Sequence, residues 1–596
     1  MNNSISYKKT FHVLGVSVIS ALIGFSATSM AAQTVYTSDA DFALGTLNSV
    51  NFDAPNSNQL QLSDVSQTFP VLWVANAGED SLSKINTDTD CEDSRYHTSF
   101  GLRFGSAFAG AAPSRTAVDV DGNVYIANRH FDGKPAEVLK ILAEGGVDRN
   151  GNGVIDTSVD TNGDCSIDRD DPTEFLLNDD TNNDGILQLD EIKDERVVWV
   201  SQVGANSGLG RSLCIGTDGN IWLGLYSSRS YYKLDASDGS EMVGPISTVG
   251  HTPYGCLVDR EGILWSASLS SNIGALDTNT DTFLGQVSTP TGTYGIAIGN
   301  DKVYSGNSGR DFLVYDPLLP DDNNPLTGAF TLAPNVNNTL GINVDGEGNI
   351  VSGSTTVVKT SPDGTRLWTN PLAQAGFGDR GVMPDSNNNI WHIGLQFNQA
   401  TKLNGVTGNV MAIVPVGLDP YSYSDATGIA ARTVTDPTGI WSVVSDGGDP
   451  GTEWVNVNWN NEAQGSVPAG ASITTSYRVA NSVADLSLQT FQETPNGAAL
   501  VGATGQYIEV RTVLRPNVNN ESPVLSDMVV EALDDTPSCD LNGDGQVNRT
   551  DINLFRPHRN TPAVPGEPLD IDGNGVINKR DARLCVLECT NARCAI

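Results

Sequence analysis

Between residues 70 and 435 short runs of alternating apolar and polar residues come in pairs, each pair joined by an acidic turn carrying Gly or Asn. The pairs read TAVDVDGNVYIAN from Thr116, SLCIGTDGNIWLGL from Ser212, YGCLVDREGILWSAS from Tyr254, YGIAIGNDKVYSGN from Tyr294, LGINVDGEGNIVSGS from Leu340 and RGVMPDSNNNIWHIG from Arg380. A period of two puts alternate side chains on one sheet face, and a tight turn between two such runs makes a hairpin. Aligned on the turn, copies begin 40–47 residues apart, except the first two, which lie 97 apart around an insertion. That spacing predicts propeller blades. A further copy, VLWVANAGEDSLSKI from Val71, lacks its innermost strand, and DATGIAARTV from Asp425 reads as such a strand with no blade after it. Joining the two closes a ring of seven blades over 70–435 and leaves no free sheet edge.

The alternation resumes in EWVNVNWN from Glu453, SITTSYRVA from Ser472 and QYIEVRTVLR from Gln506, which predicts an antiparallel β-sandwich over 436–535. Its Trp441, Trp454 and Trp459 suit either the core or a carbohydrate platform. Residues 33–69 read as an N-terminal linker. The expected fold is mainly β: a seven-bladed β-propeller with a calcium-loop insert at 147–195, a β-sandwich, and a small α-helical domain at 539–596.

Charge narrows the function. The 596 residues carry 34 Lys+Arg against 71 Asp+Glu, a net charge of −37. Nucleic acid needs a basic footprint, so it is excluded as a partner. Residues 1–32 have the form of a secretory leader: Lys8 and Lys9, an apolar run from Val13 to Phe25, and small residues at Ser29, Ala31 and Ala32. The apolar run is too short to span a membrane, and no later segment is long and apolar enough. Export to an extracellular, periplasmic or cell-surface location is expected. Eight cysteines are an even number, favouring disulfides in that setting. Cys214 and Cys256 take matching places in neighbouring repeats, Cys91 and Cys165 are left as a pair, and Cys539, Cys585, Cys589 and Cys594 cluster at the C-terminus.

Two regions carry calcium-ligand spacing. The insert holds 15 acids against three bases, a net −12. Within it DTNNDGILQLDE supplies Asp180, Asn182 and Asp184 at loop positions 1, 3 and 5, the Ile186 carbonyl at 7 and Glu191 at 12, the oxygen-rich EF-hand arrangement. DRNGNGVID (Asp148, Asn150, Asn152) and DTNGDCSID (Asp160, Asn162, Asp164) match positions 1, 3 and 5 alone; the first has no acid at position 12, and the second has Cys165 where Gly is expected. At the C-terminus two duplicated loops present Asp540, Asn542, Asp544, Gln546 and Asp551, then Asp570, Asp572, Asn574, Val576 and Asp581. Here Asp replaces Glu at position 12, and a helix opens beside it. Ca²⁺ is expected as a structural ion.

Ligand chemistry is expected at the axial mouth, before the innermost strands. Arg115, Arg211, Tyr254, Tyr294, Leu340, Arg380 and Thr427 stand there. Guanidinium forks and tyrosine faces suit an anionic oligosaccharide; the alternative pairs each Arg with a loop acid such as Asp379. Catalysis would need a proton acceptor, for which the candidates are His251, His392 and Tyr254.

TPYGCLVDREGILWSASLSSNIGALDTNTD from Thr252 and TDGNIWLGLYSSRSYYKLD from Thr217 resemble the virginiamycin B (streptogramin) lyase family and NHL-type propellers. That resemblance implies a propeller and, as a second reading, a lyase acting on streptogramin B or an acidic polysaccharide. The family's acidic ending of the second blade strand is WLGL, WSAS and WHIG here. The paired C-terminal loops resemble a type I dockerin. This implies calcium and a cohesin-like partner read by Arg549, Thr550, Lys579 and Arg580, which depart from the common Ser/Thr pairs. The leading expectation is a secreted, calcium-binding protein with a ligand-binding propeller and a docking module; a protein–protein scaffold is the third.

Overall fold

A computed structural model of the chain describes residues 32–596 apart from 54, 64–68, 102, 308–310, 319–323, 334–338, 373–379, 449, 518–520, 534–538, 543–545, 565–566, 573, 588, 591–593 and 595–596. The leader, Asp379 and Asp544 fall outside the described residues. The chain forms two compact units, Gln33–Ala532 and the C-terminal residues from Leu533.

Seven antiparallel sheets make the propeller blades. Blade 1 has three strands (Val71–Asn76, Ser81–Asn86, Cys91–His97), and the other six have four, beginning at Pro113–Val118, Gly210–Ile215, Cys256–Val258, Ile296–Gly299, Gly341–Val344 and Gly381–Pro384. The repeated acidic turn has a local cause. Its first Asp accepts backbone N–H groups two to four residues on, as Asp119 does from Asp121 and Asn123 and Asp385 from Asn387 and Asn389. Gly122, Gly262 and Gly348 sit in the same turn at φ of 80–86°, where a side chain would be strained. Trp265 and Trp391, buried on second strands, donate Nε1–H to Asp259 and Asp385 of their own turns at 2.8 and 2.9 Å.

Apolar faces fill the gaps between blades. A lysine on the next-to-outermost strand of five blades then reaches the next blade: Lys84 to Ala143 O, Lys140 to Ala236 O, Lys233 to Asp281, Lys359 to Gly405 O and Lys402 to Thr87 O. The last of these joins blade 7 to blade 1. There Leu72, Val74 and Ile85 pack against Met383, Trp391 and Ile393.

Ring closure differs from the expected strand. The chain pairs with blade 1 earlier, through an Asn76–Pro420 bridge, Tyr421 N to Ala75 O at 2.8 Å and Trp73 N to Ala426 O at 2.9 Å. From Thr427 onward it leaves the sheet. The buried Asp425 carboxylate accepts the Thr427, Gly428 and Ala431 N–H groups and bends the chain into a π-helical turn, Ala431–Thr435. Ala430 of that segment packs with Leu257 and Ile296, and Thr435 donates to Val258 O. A turn thus stoppers the central channel where a strand was expected, and Thr427, expected on the rim, is fully buried in it.

The sandwich has a five-stranded sheet, ordered Thr46–Asn48, Gly439–Asp446, Tyr507–Arg515, Ser472–Ala480, Gln492–Thr494, and a three-stranded one, ordered Ala32–Tyr36, Met528–Ala532, Trp454–Trp459. Segment 33–69 is therefore not a free linker. It gives strands to both sheets, and its Phe42 packs edge-on against Trp441 at 5.3 Å. Trp441, Trp454 and Trp459 are all buried, with Trp441 and Trp454 donating to Phe42 O and Gly505 O. The platform alternative fails because these rings are the core.

The disulfides are Cys91–Cys165, Cys214–Cys256, Cys539–Cys585 and Cys589–Cys594.

Candidate functional site

Three groups of side chains carry chemistry: the calcium-type loops, the propeller mouth and the C-terminal module.

In the insert the Asp180 loop is held by Glu191, which is buried where the turn Leu189–Glu191 ends. Glu191 accepts Thr181 N–H at position 2 and Gln188 N–H at position 9, at 3.0 and 3.2 Å. Asp180 accepts Gly185 N–H through Oδ2, while its buried Oδ1 has no protein partner. The other two loops close on an acid from beyond position 12, which is Val159 in the first and, in the second, Asp171, turned to its own neighbour Thr173. Glu195 accepts Arg149 N–H (position 2) and Asp156 N–H (position 9) at 2.7 and 2.9 Å. Glu174 accepts the Thr161 hydroxyl (position 2) and Asp168 N–H (position 9) at 3.0 and 2.9 Å. Both glutamates are buried. Spacing alone hides them, since they lie 47 and 14 residues beyond the first loop ligand (195 − 148 and 174 − 160). In each loop a buried glutamate is thus fixed to the groups of positions 2 and 9, and the Asp, Asn and Glu oxygens of these segments are the hard donors that Ca²⁺ takes.

The mouth gathers the predicted residues and adds others. Tyr254, Tyr294 and Tyr421 join hydroxyls at 3.0, 3.3 and 2.6 Å, and Arg380 Nε donates to Tyr421 at 3.1 Å. Arg115 lies 3.4 Å over the Tyr423 ring and donates to the Arg211 and Tyr254 carbonyls. Arg129 faces Tyr421 at 4.7 Å. Arg115, Arg129, Tyr254, Tyr294, Tyr421 and Tyr423 are buried, while Arg211 and Arg380 are half-buried at the outer surface with Tyr226, Phe131 and the more exposed Phe108. The described part of the cluster is therefore a closed floor with an Arg-aromatic face, and its arginines meet phenols and carbonyls. Burial works against ionising Tyr421, but Arg380, Arg129 and the hydrogen bonds from Tyr254 and Tyr294 outweigh it and bring that phenol down to about 7. For Tyr254 burial wins and the phenol is pushed up.

Neither histidine candidate reaches this cluster. His251 lies between Asn272 and Ser266 at 2.8 and 2.9 Å, and His392 donates to Ser354 O at 2.8 Å. Burial pushes both down to about 4, so each is a neutral structural imidazole. Tyr421 escaped the sequence reading because it stands in the irregular closing segment, outside every repeat.

In the C-terminal unit the two loops repeat one geometry. Asn542 N–H and Asn548 N–H donate to Asp551 at 3.1 and 3.0 Å; Asp572 N–H and Asn578 N–H donate to Asp581 at 3.2 and 2.7 Å. Both twelfth residues are fully buried, one in helix Arg549–Leu554 and one in helix Lys579–Leu587. Oxygens of Asp570, Asp572 and Asp581 lie within 4.8 Å of one another, a ready ligand set for a divalent cation. Cys539–Cys585 crosses the small core of Val547, Phe555, Ile571 and Ile577. Arg549, Thr550, Lys579 and Arg580 are all exposed.

Residues 538–585 match the type I dockerin domain. Dockerin domains in general bind calcium and cohesins. No curated protein matches the chain. Among solved structures it is similar to virginiamycin B lyase from Staphylococcus aureus (12% identity, TM-score 0.37, covering 56% of this chain and 93% of that one). It is also similar to hydrazine synthase from Kuenenia stuttgartiensis (12%, 0.36, 54% and 92%) and to a gluconolactonase from Xanthomonas campestris (11%, 0.32, 56% and 96%). At such identities and scores these likenesses say nothing about activity. The four disulfides point to an oxidising compartment. Among the described residues no helix is long and apolar enough to cross a membrane.

Proposed function

We propose that this is a secreted, calcium-stabilised binding protein, fixed to an extracellular assembly by its dockerin domain and presenting a propeller mouth to an anionic saccharide-like ligand. The dockerin match with its duplicated loop geometry carries the reading. The exposed residues Arg549, Thr550, Lys579 and Arg580 face a cohesin-like partner, with a charge that favours an acidic surface. Calcium occupies the two dockerin loops and the three insert loops as a structural ion. At the mouth, Arg211 and Arg380 are the groups that meet the ligand, over a floor made by Arg115, Tyr254 and Tyr294. One observation favours the lyase reading beside this one: Tyr421 is a proton acceptor near neutrality among arginines that can neutralise a carboxylate.

The test uses the full calcium-loaded chain with oligogalacturonides, neutral oligosaccharides and streptogramin B, measuring both binding and the mass of the recovered ligand. Binding of the acidic oligomers with unchanged mass, weakened roughly tenfold or more by Arg211→Ala with Arg380→Ala, is the expected result. A changed mass moves the protein to the lyase reading. No binding removes the mouth from the proposal and leaves the docking function alone.

A further inference from the structure

Beside the mouth, segment 103–112 crosses from blade 1 to blade 2 under many restraints. Arg103 donates to Asp80 at 2.5 and 2.8 Å and to the Ala77 carbonyl, and a Cβ on Gly105 or Gly110 would run into its guanidinium. Gly105 N–H donates to Gly78 O at 2.9 Å, Ala107 N–H to the Asp419 carboxylate at 3.1 Å and Ala112 N–H to Asp80 at 2.7 Å. From the next blade, Phe131 N–H donates to Gly110 O at 2.8 Å.

A segment tied in this way has a fixed shape, yet it holds two phenyl rings outward. Phe104 is 71% exposed and Phe108 48%. Arg169, from the acidic insert, lies 3.9 Å over Phe104 and is itself fixed by Glu79 at 2.9 Å and the Arg103 carbonyl at 3.0 Å. A cation thus backs the Phe104 ring while most of that ring stays open. Rigid aromatic rings held in advance of contact lose little freedom when something stacks on them.

Phe108 joins this rim to the mouth. It meets Tyr421, the partner of Arg380, edge-on at 5.5 Å. It also meets Phe131, which Arg211 faces at 5.5 Å, edge-on at 6.1 Å. Both half-buried arginines of the mouth are therefore one ring away from Phe108.

We infer that Phe104 and Phe108 form a stacking platform that extends the mouth, so that its ligand is a chain of acidic sugars and not a single one. This rests on the anionic-saccharide reading of the mouth. A carboxylate taken by Arg211 and Arg380 leaves the next rings of the chain over Phe108 and then Phe104. Sugar rings offer apolar C–H faces that an aromatic ring covers while the hydroxyls at their edges stay in water. Cations stand at both ends of the path, Arg211 and Arg380 at one and Arg169 at the other, which suits a polymer that repeats its negative charge. The insert thereby gains a role besides its loops, since it supplies the residue behind the platform.

The test is calorimetric titration of the full calcium-loaded chain with galacturonic acid, its dimer, its trimer and its hexamer at matched ionic strength. Affinity should rise along the series. Phe104→Ala and Phe108→Ala should each weaken the hexamer roughly tenfold, Phe104→Ala should leave the monomer unchanged, and Phe104→Trp should keep hexamer binding. Equal affinity along the series, a hexamer indifferent to both alanine variants, or an equal loss for monomer and hexamer in Phe104→Ala overturns the platform. A flat series abolished by Arg211→Ala with Arg380→Ala removes the platform and keeps the mouth. A rise that survives those two substitutions but not Phe104→Ala keeps the platform and removes the mouth. No binding of any member removes both.

Discussion

The three loops of the insert and the two of the dockerin domain share their spacing of Asp and Asn at positions 1, 3 and 5 but complete themselves differently. In the dockerin domain the twelfth residue is local: Asp551 and Asp581 stand in the helix that leaves the loop. In the insert only the Asp180 loop closes on its own Glu191. The other two close on Glu195 and Glu174, which return from later in the chain to meet the same position 2 and position 9 groups. A local loop is a transferable motif. A loop closed from afar exists only once the chain around it has folded, so under the proposed calcium binding, affinity and the fold of the insert are one quantity.

The largest test of that difference is calcium removal. Each loop held at roughly 1,000 times its Kd contributes about 4 kcal/mol. Chelation should abolish the helical signal and amide protection of residues 539–590. It should lower the Tm of the larger unit without unfolding its blades, whose cores contain no loop residue except around blades 1 and 2. Survival of the dockerin helices in chelator would break the comparison.

Next in size is the Cys91–Cys165 bond, which closes a separation of 74 residues and ties the second insert loop to blade 1. Cys91→Ser with Cys165→Gly should cost about 4 kcal/mol of stability with calcium present. The new Gly, at a position where φ is 67°, relieves part of that. Thermal unfolding with and without calcium measures both.

Smaller effects come from the borrowed acids. Glu195→Gln and Glu174→Gln should each weaken one calcium roughly tenfold to a hundredfold, as Glu191→Gln does, and native mass spectrometry should count four tight ions where the parent has five. An unchanged count would show that the glutamates only brace loops that bind no metal.

The smallest sharpens the contrast from outside the metal sites. Tyr421, depressed from its ordinary 10 to about 7, adds stability that is complete above pH 10, falls away between 10 and 7 and is gone below 7. Near-ultraviolet absorbance should show one tyrosinate forming near pH 7, lost in Tyr421→Phe and indifferent to chelator.

What could be read from the sequence follows the range of the interactions. The blades announce themselves because their turn asks for Asp and Gly within five residues, and the loops at 180–191, 540–551 and 570–581 because their ligands are contiguous. Glu174, Glu195 and Tyr421 work across distances that no local pattern records. AQTVY and the three-residue strand at Thr46–Asn48 are too short for alternation to show, so 33–69 passes for a linker. The closing strand misleads for a different reason: ATGIAARTV has the apolar content of a strand, but Asp425 gathers the following N–H groups and turns it into a helix.

The chain enters the ring from the sandwich and returns to it, which has a mechanical result. A pull on the C-terminal module reaches the rest of the protein through Met528–Ala532, the middle strand of a three-stranded sheet with Ala32–Tyr36 on one side and Trp454–Trp459 on the other. Two rows of backbone hydrogen bonds share that load. The seven blades hang beside the line of force, not within it, so a tethered molecule can be dragged by its anchor without its ring being stretched open.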